Sequence, residues 1–158
     1  MLRFVLAALI AGACVATGVL ADGKHAAGHA AHAAEKPYGK PGDPKKVSRT
    51  IEVGMNDAMR FTPAQLSVKR GETIRFVVGN TGKIKHELVL GTMNDLKAHV
   101  EAMKKPNPKH EEDETGVEVD PGKRGELVWQ FTKAGSFSYG CLIPGHFEAG
   151  MIGSITVR

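Results

Sequence analysis

The sequence predicts an all-β domain, a sandwich of short strands interrupted by one short helix, and three features carry that expectation. Val, Ile, Thr and Phe gather in brief runs, the residue types that suit a pleated and half-buried surface. Within those runs apolar and polar residues alternate with period two. With 19 glycines and 8 prolines in 158 residues, turns are frequent enough to separate many strands, which a helical bundle would not require. A chain of this length buries one core rather than two.

Met1 to Ala21 has a single positive charge at Arg3, an apolar run from Phe4, and small residues ending in Val19-Leu20-Ala21. This is the layout of a secretory signal peptide, with cleavage expected between Ala21 and Asp22. A retained membrane anchor is the alternative for so long an apolar stretch. A lipidated Cys14 is a minor option, because Ala11-Gly12-Ala13 lacks the leucine usual at that position. No later stretch is apolar enough to span a bilayer, so no span is expected in the mature form. Residues 22–48 are rich in Ala, Gly, Lys and Pro with almost no large apolar groups. Such a segment buries too little surface to order itself, and a flexible, histidine-containing arm is expected there. The folded domain is expected over residues 49–158.

From Arg49 the period-two pattern begins. Ile51, Val53 and Met55 alternate with Glu52 and Gly54, Phe61 leads through Thr62-Pro63 to Leu66 and Val68, and Lys69-Arg70-Gly71-Glu72 reads as a turn. Strands follow at 73–78 and 86–91, separated by the turn Asn80-Thr81-Gly82-Lys83. Over residues 94–104, Leu96, Val100 and Met103 fall at helical spacing after a Thr92 or Asn94 cap, and Pro106 stops the helix. A charged loop around His110 comes next. Strands resume at 117–119, 125–131, 136–139 and 153–157. There is no internal repeat.

Net charge is +4, but both signs are mixed along the chain and no Lys/Arg block is interleaved with aromatic residues. That pattern argues against nucleic acid as a partner and reads as solvation. The cysteines constrain more. Cys14 leaves with the leader, so the mature domain holds Cys141 alone, in a compartment that oxidises thiols. A disulfide has no partner, and either a buried inert thiol or a metal ligand remains.

The loop Cys141-Leu142-Ile143-Pro144-Gly145-His146-Phe147-Glu148-Ala149-Gly150-Met151 lies between two expected strands and offers a thiolate, an imidazole and a thioether. These soft and borderline donors suit copper, and a trigonal His2Cys set with a weak axial Met describes a blue-copper site. A second imidazole must come from elsewhere. His86 opens a strand after a turn and can reach the same end of the sandwich as the loop. His99 sits on the expected helix and His110 in a solvated charge run, so both read as surface groups. In the arm, His25, His29 and His32 form a His-x3-His-x2-His cluster, a candidate for capturing additional copper or an incidental feature of a tail. Met55, Met59, Met93 and Met103 are scattered over strand and helix positions and read as core.

The order of one histidine, a distant cysteine, then histidine and methionine close behind resembles the cupredoxins, the type 1 copper proteins. The Cys-x4-His-x4-Met spacing is similar to rusticyanin, with azurin and plastocyanin as cousins of different loop length. Asn80-Thr81-Gly82, His86 to Gly91, the helical insertion and Cys141 to His146 together look most like bacterial periplasmic cupredoxins implicated in copper tolerance. The resemblance covers residues 49–158. It implies an eight-stranded Greek-key β-sandwich holding one copper ion, with His86, Cys141 and His146 equatorial and Met151 axial. It further implies a periplasmic monomer that carries electrons or handles copper and is not an enzyme. Transient redox or copper-trafficking partners would dock near His146, inside a rim of Leu142, Pro144 and Phe147. A histidine beside the cysteine, which links the blue site to a second copper in copper oxidases, is absent, because Gly140 and Leu142 flank Cys141. One departure stands out: many relatives place Asn or Ser just after the first histidine, whereas this chain has Glu87.

Overall fold

The computed structural model describes residues 35–105 and 114–158. The expected leader, the cluster His25, His29 and His32, and His110 lie outside the described residues. The strands are β1 (Lys40–Pro41), β2 (Arg49–Asn56), β3 (Arg60–Thr62), β4 (Gln65–Val68), β5 (Thr73–Asn80), β6 (His86–Gly91), β7 (Gly116–Val119), β8 (Arg124–Gln130), β9 (Gly135–Gly140) and β10 (Ile152–Val157). Among the described residues one α-helix, α1 (Met93–Met103), stands between β6 and β7. Two five-stranded sheets form, in the orders β1-β8-β5-β2-β3 and β4-β10-β9-β6-β7. Consecutive strands repeatedly change sheet, at β3 to β4, β4 to β5, β5 to β6, β7 to β8 and β8 to β9, as expected of a Greek-key sandwich. The two shortest strands, β1 and β3, sit at the edges of the first sheet and bring the count above the eight that the resemblance implied.

Alternation decides which faces meet. In β5, Ile74, Phe76 and Val78 are fully buried while the residues between them are half-exposed. These side chains pack with Leu88, Tyr139 and Ile155 of the opposite sheet in one core. β6 behaves differently: all six of its residues are buried, so both of its faces are covered. α1 supplies the second cover, packing Leu96 and Val100 onto Val89, Leu142 and Phe147 as a separate apolar cluster. Its start is fixed by Thr92, whose hydroxyl accepts from the Asp95 amide at 3.2 Å while Asp95 accepts from the Thr92 amide at 3.1 Å. Among the described residues no helix is long and apolar enough to cross a membrane.

The second half of the expected arm corrects the sequence reading. Residues 35–48 do not run free: Lys40 and Pro41 pair with Gln130 and Trp129 of β8, and Pro44–Lys46 forms a 3-10 turn. The cause is Tyr38, the one large aromatic in a segment read as lacking apolar groups. It is 4% exposed and stacks on Trp129 with ring centroids 5.5 Å apart, while the indole N–H donates to its carbonyl at 3.2 Å. Truncating so buried an aromatic costs about 3 kcal/mol. We therefore expect Tyr38→Ala to lower the unfolding free energy of the copper-free chain by that amount in urea titrations. A loss below about 0.5 kcal/mol, the range of ordinary surface substitutions, would show that the clasp is not part of the core.

Candidate metal centre

β9 and β10 are antiparallel neighbours, with Gly140 opposite Ile152, and the loop 141–151 closes over their shared end. The Cys141 amide donates to the Met151 carbonyl at 3.1 Å, extending the ladder by one rung. Inside the loop, the Met151 amide donates to the His146 carbonyl at 3.1 Å and the His146 amide to the Ile143 carbonyl at 3.0 Å. Gly145 and Gly150 take φ near +89° and +88°, values that side-chain-bearing residues rarely adopt, and these permit the tight reversals. Three residues far apart in donor chemistry are thereby gathered by a few backbone bonds.

His86 reaches the same place from the first position of β6, paired with Val119 of β7. Asn80 sets up its approach. This residue is 2% exposed, and its amide donates to the carbonyls of Ile84 and Val119 at 2.8 and 2.9 Å while its oxygen accepts from the Gly82 amide. The 81–85 loop is thus tied to β7 on one side. His86, Cys141 and His146 offer ligand atoms that all lie within 4.8 Å of one another, and all three residues are buried. Cys141 Sγ lies 3.2 Å from His146 Nδ1, and the two imidazole rings are 4.9 Å apart. Met151 is fully buried beside them, bonded through its backbone to both Cys141 and His146.

The residues present fit copper. The Nδ1 atom of His86 is buried without a hydrogen-bond partner, an arrangement that costs energy unless a ligand takes the lone pair. Burial lowers the pKa of His146, with the neighbouring His86 adding to it, so its ring stays neutral and able to donate a lone pair. Burial likewise pushes the Cys141 thiol up to about 11, against the pull of the Glu87 and Ile143 backbone amides. A cation at the site would offset that burial by stabilising the thiolate.

The other sequence candidates lie elsewhere. His99 is half-buried on α1 and lines a separate cavity of about 180 Å³ with Lys36, Asp95 and Thr115. Met55 and Met59 pack with the main core, while Met93 is 36% exposed at the helix start, unlike the core position expected for it. Leu142 corrects the expected rim: it is buried under α1, which leaves Pro144 and Gly145 as the exposed residues before His146. Two carboxylates escaped the sequence reading. Glu87, noted only as a departure, is buried and accepts from the Leu142 amide at 2.7 Å, so it ties β6 to the residue after the cysteine. Asp57, in the β2–β3 turn, accepts at 3.2 Å from His86 Nε2. Nothing in the local pattern around Asn56-Asp57 signals this, because the contact spans 29 residues of sequence.

A family model described as copper binding proteins of the plastocyanin/azurin family matches residues 47–158. The copper-resistant cuproprotein CopI of Rubrivivax gelatinosus is 52% identical over 157 residues, covering 96% of this chain and 95% of that protein. CopI of Pseudomonas aeruginosa is 36% identical over 183 residues, covering 95% and 97%. Among solved structures, sodium-dithionite-reduced auracyanin from the photosynthetic bacterium Roseiflexus castenholzii is similar, with a TM-score of 0.59 and 25% identity. That match covers 71% of this chain and 98% of auracyanin.

The buried thiol makes the copper-free fold sensitive to base. An unfolded cysteine ionises near 9.0 and the folded one at about 11, so the folded state binds the proton more tightly. Stability is intact below the unfolded value and falls as pH rises between the two, by roughly 2 to 3 kcal/mol in all. Tyr139, whose pKa is also raised by burial, adds a loss of its own at high pH. We expect urea titrations from pH 8 to 11 to show a smaller decline for Cys141→Ala than for the parent, both without copper. Parallel declines would mean that the thiol is not buried in solution.

Proposed function

The chain belongs to the copper-binding plastocyanin/azurin family and has copper as its cofactor, and from that premise we propose that it is a periplasmic mononuclear type 1 copper protein serving copper tolerance. The convergence of His86, Cys141 and His146 within 4.8 Å carries this reading. These three residues and Met151 hold the metal, the thioether as the weaker ligand. Bound there, copper supplies one-electron exchange between Cu(I) and Cu(II).

The surrounding residues do the rest. The covered strand β6 and the closed 141–151 loop keep the donors from rearranging, and a site that moves little on changing oxidation state exchanges electrons readily. His146 is 9% exposed while His86, Cys141 and Met151 have no exposure, so it is the residue of the site nearest solvent. A redox or copper-trafficking partner docks there through a small transient contact, beside Pro144 and Gly145. The protein acts as a monomeric carrier rather than a catalyst, since the residues flanking Cys141 provide no bridge to a second copper. The leader-like segment 1–21 supports export to the periplasm. Copper tolerance is preferred because the relatives that match nearly the whole chain are named copper-resistant cuproproteins. A dedicated electron shuttle to a respiratory oxidase or reductase is the second reading, favoured by His146 being the one ligand residue of the four with any exposure.

Adding Cu(II) to the purified chain is expected to produce an intense visible thiolate-to-copper absorption, with Cys141→Ser abolishing it and His86→Ala or His146→Ala weakening copper binding. A colourless copper complex counts against the ligand set. Cells lacking the protein are expected to stop growing at lower copper than the parent, and to recover with the intact gene but not with Cys141→Ser. Unchanged tolerance in the deletion strain would favour electron carriage instead.

A further inference from the structure

The geometry points to Asp57 as the positioning residue that sets which nitrogen His86 presents to copper and biases the site toward Cu(II). This inference rests on His86 being a ligand and concerns a residue on another hairpin. Asp57 stands in the turn between β2 and β3. Its Oδ1 lies 3.2 Å from His86 Nε2, while the opposite ring nitrogen, Nδ1, is buried and unpartnered. The side chain of His86 has no exposure, so neither nitrogen can turn to water to satisfy itself.

A carboxylate only accepts, and therefore Nε2 must carry the hydrogen. Nδ1 is then the nitrogen with a free lone pair. The carboxylate is itself held in place, since the Lys83 amide donates to both of its oxygens, at 3.0 Å to Oδ1 and 2.8 Å to Oδ2. A carboxylate that accepts from two sides in this way is an anion near neutral pH, so the group facing the ring carries a negative charge. Gly82 is part of the device: a Cβ at that position would collide with Asp57 Oδ1, so any larger residue would push the carboxylate away. The chain thus approaches His86 with a fixed negative charge, delivered by a turn whose residue 82 must be glycine.

Two consequences follow for the metal. A histidine that donates its far N–H to a carboxylate is locked in one tautomer and made a stronger donor, an effect whose removal typically costs 10- to 100-fold in metal affinity. An added negative charge near the ion also favours the more highly charged oxidation state. Asp57 therefore raises Cu(II) affinity more than Cu(I) affinity. If the carboxylate merely braced the turn, its loss would lower stability and leave both the tautomer and the affinity ratio alone.

The test uses the full chain at one fixed near-neutral pH. Long-range proton–nitrogen spectra of the copper-free, nitrogen-15-labelled protein read the His86 tautomer. Competition titrations with Cu(II) and Cu(I) read the two affinities. In the parent, His86 is expected as the Nε2–H form alone. Asp57→Ala is expected to mix the tautomers and weaken Cu(II) binding about 10- to 100-fold. Asp57→Asn, which retains an acceptor but not the charge, is expected to keep the tautomer and lower the ratio of Cu(II) to Cu(I) affinity about 10-fold. A single Nε2–H tautomer in folded Asp57→Ala overturns the inference. So does an affinity ratio within about twofold of the parent in Asp57→Asn, which decides the matter if the alanine variant does not fold. A parent chain without thiolate-to-copper absorption would overturn the ligand assignment instead, while the copper-free tautomer measurement would still judge Asp57.

Discussion

Everything at the metal centre depends on a single extra rung of β-ladder, the bond from the Cys141 amide to the Met151 carbonyl at 3.1 Å. β9 and β10 could separate as soon as their regular pairing ends at Gly140 and Ile152. That one bond instead brings the two ends of an eleven-residue loop together and turns the intervening chain back on itself. The remaining loop bonds, from Met151 to His146 and from His146 to Ile143, then have little freedom in where they form. The sandwich supplies the other half of the constraint. His86 opens a strand in the interior of the second sheet: it pairs with Val119 of β7, and from Val89 onward the same strand is also paired with β9, which anchors it.

This construction has an electrostatic cost that the metal offsets. A thiol, two imidazoles and a thioether are packed into an apolar interior with little water, where ionised groups are disfavoured. The fold responds with neutral forms, visible in the raised thiol of Cys141 and the lowered imidazole of His146. It also places two carboxylates just behind the donors, Glu87 bonded to the Leu142 amide and Asp57 to His86. The backbone amides of Glu87 and Ile143 favour the thiolate within this arrangement. Donors kept neutral, backed by fixed acceptors and dipoles, form a cavity that is more comfortable with a cation in it than without one.

Much of this was legible in the sequence, and the reasons are local. Cys141, His146 and Met151 are separated by four residues each between two alternating runs, so their chemistry and their loop could be read together. His86 could be singled out because a turn and a strand start bracket it. The strands of the second sheet and α1 followed from periodicity, with Thr92 one of the two caps considered. What escaped depends on contacts between distant segments. Tyr38 is a lone aromatic in a polar stretch, and only its stacking on Trp129 shows that this stretch packs against β8. Leu142 looked like a rim residue until α1 was seen to cover it. Asp57 and Glu87 are ordinary acidic residues in sequence, and their roles exist only because β2, β6 and the 141–151 loop meet at one end of the sandwich.

The double cover of β6 also bears on how copper comes and goes. With the core on one face, α1 on the other, and no exposed surface on His86, Cys141 or Met151, the interior offers an ion no route past that strand. Passage is left to the side where His146 borders Pro144 and Gly145. Exchange of an ion would therefore require that short segment to open, whatever the affinity of the donors. A pocket closed on every side but one ties entry and exit of the metal to the motion of its own loop.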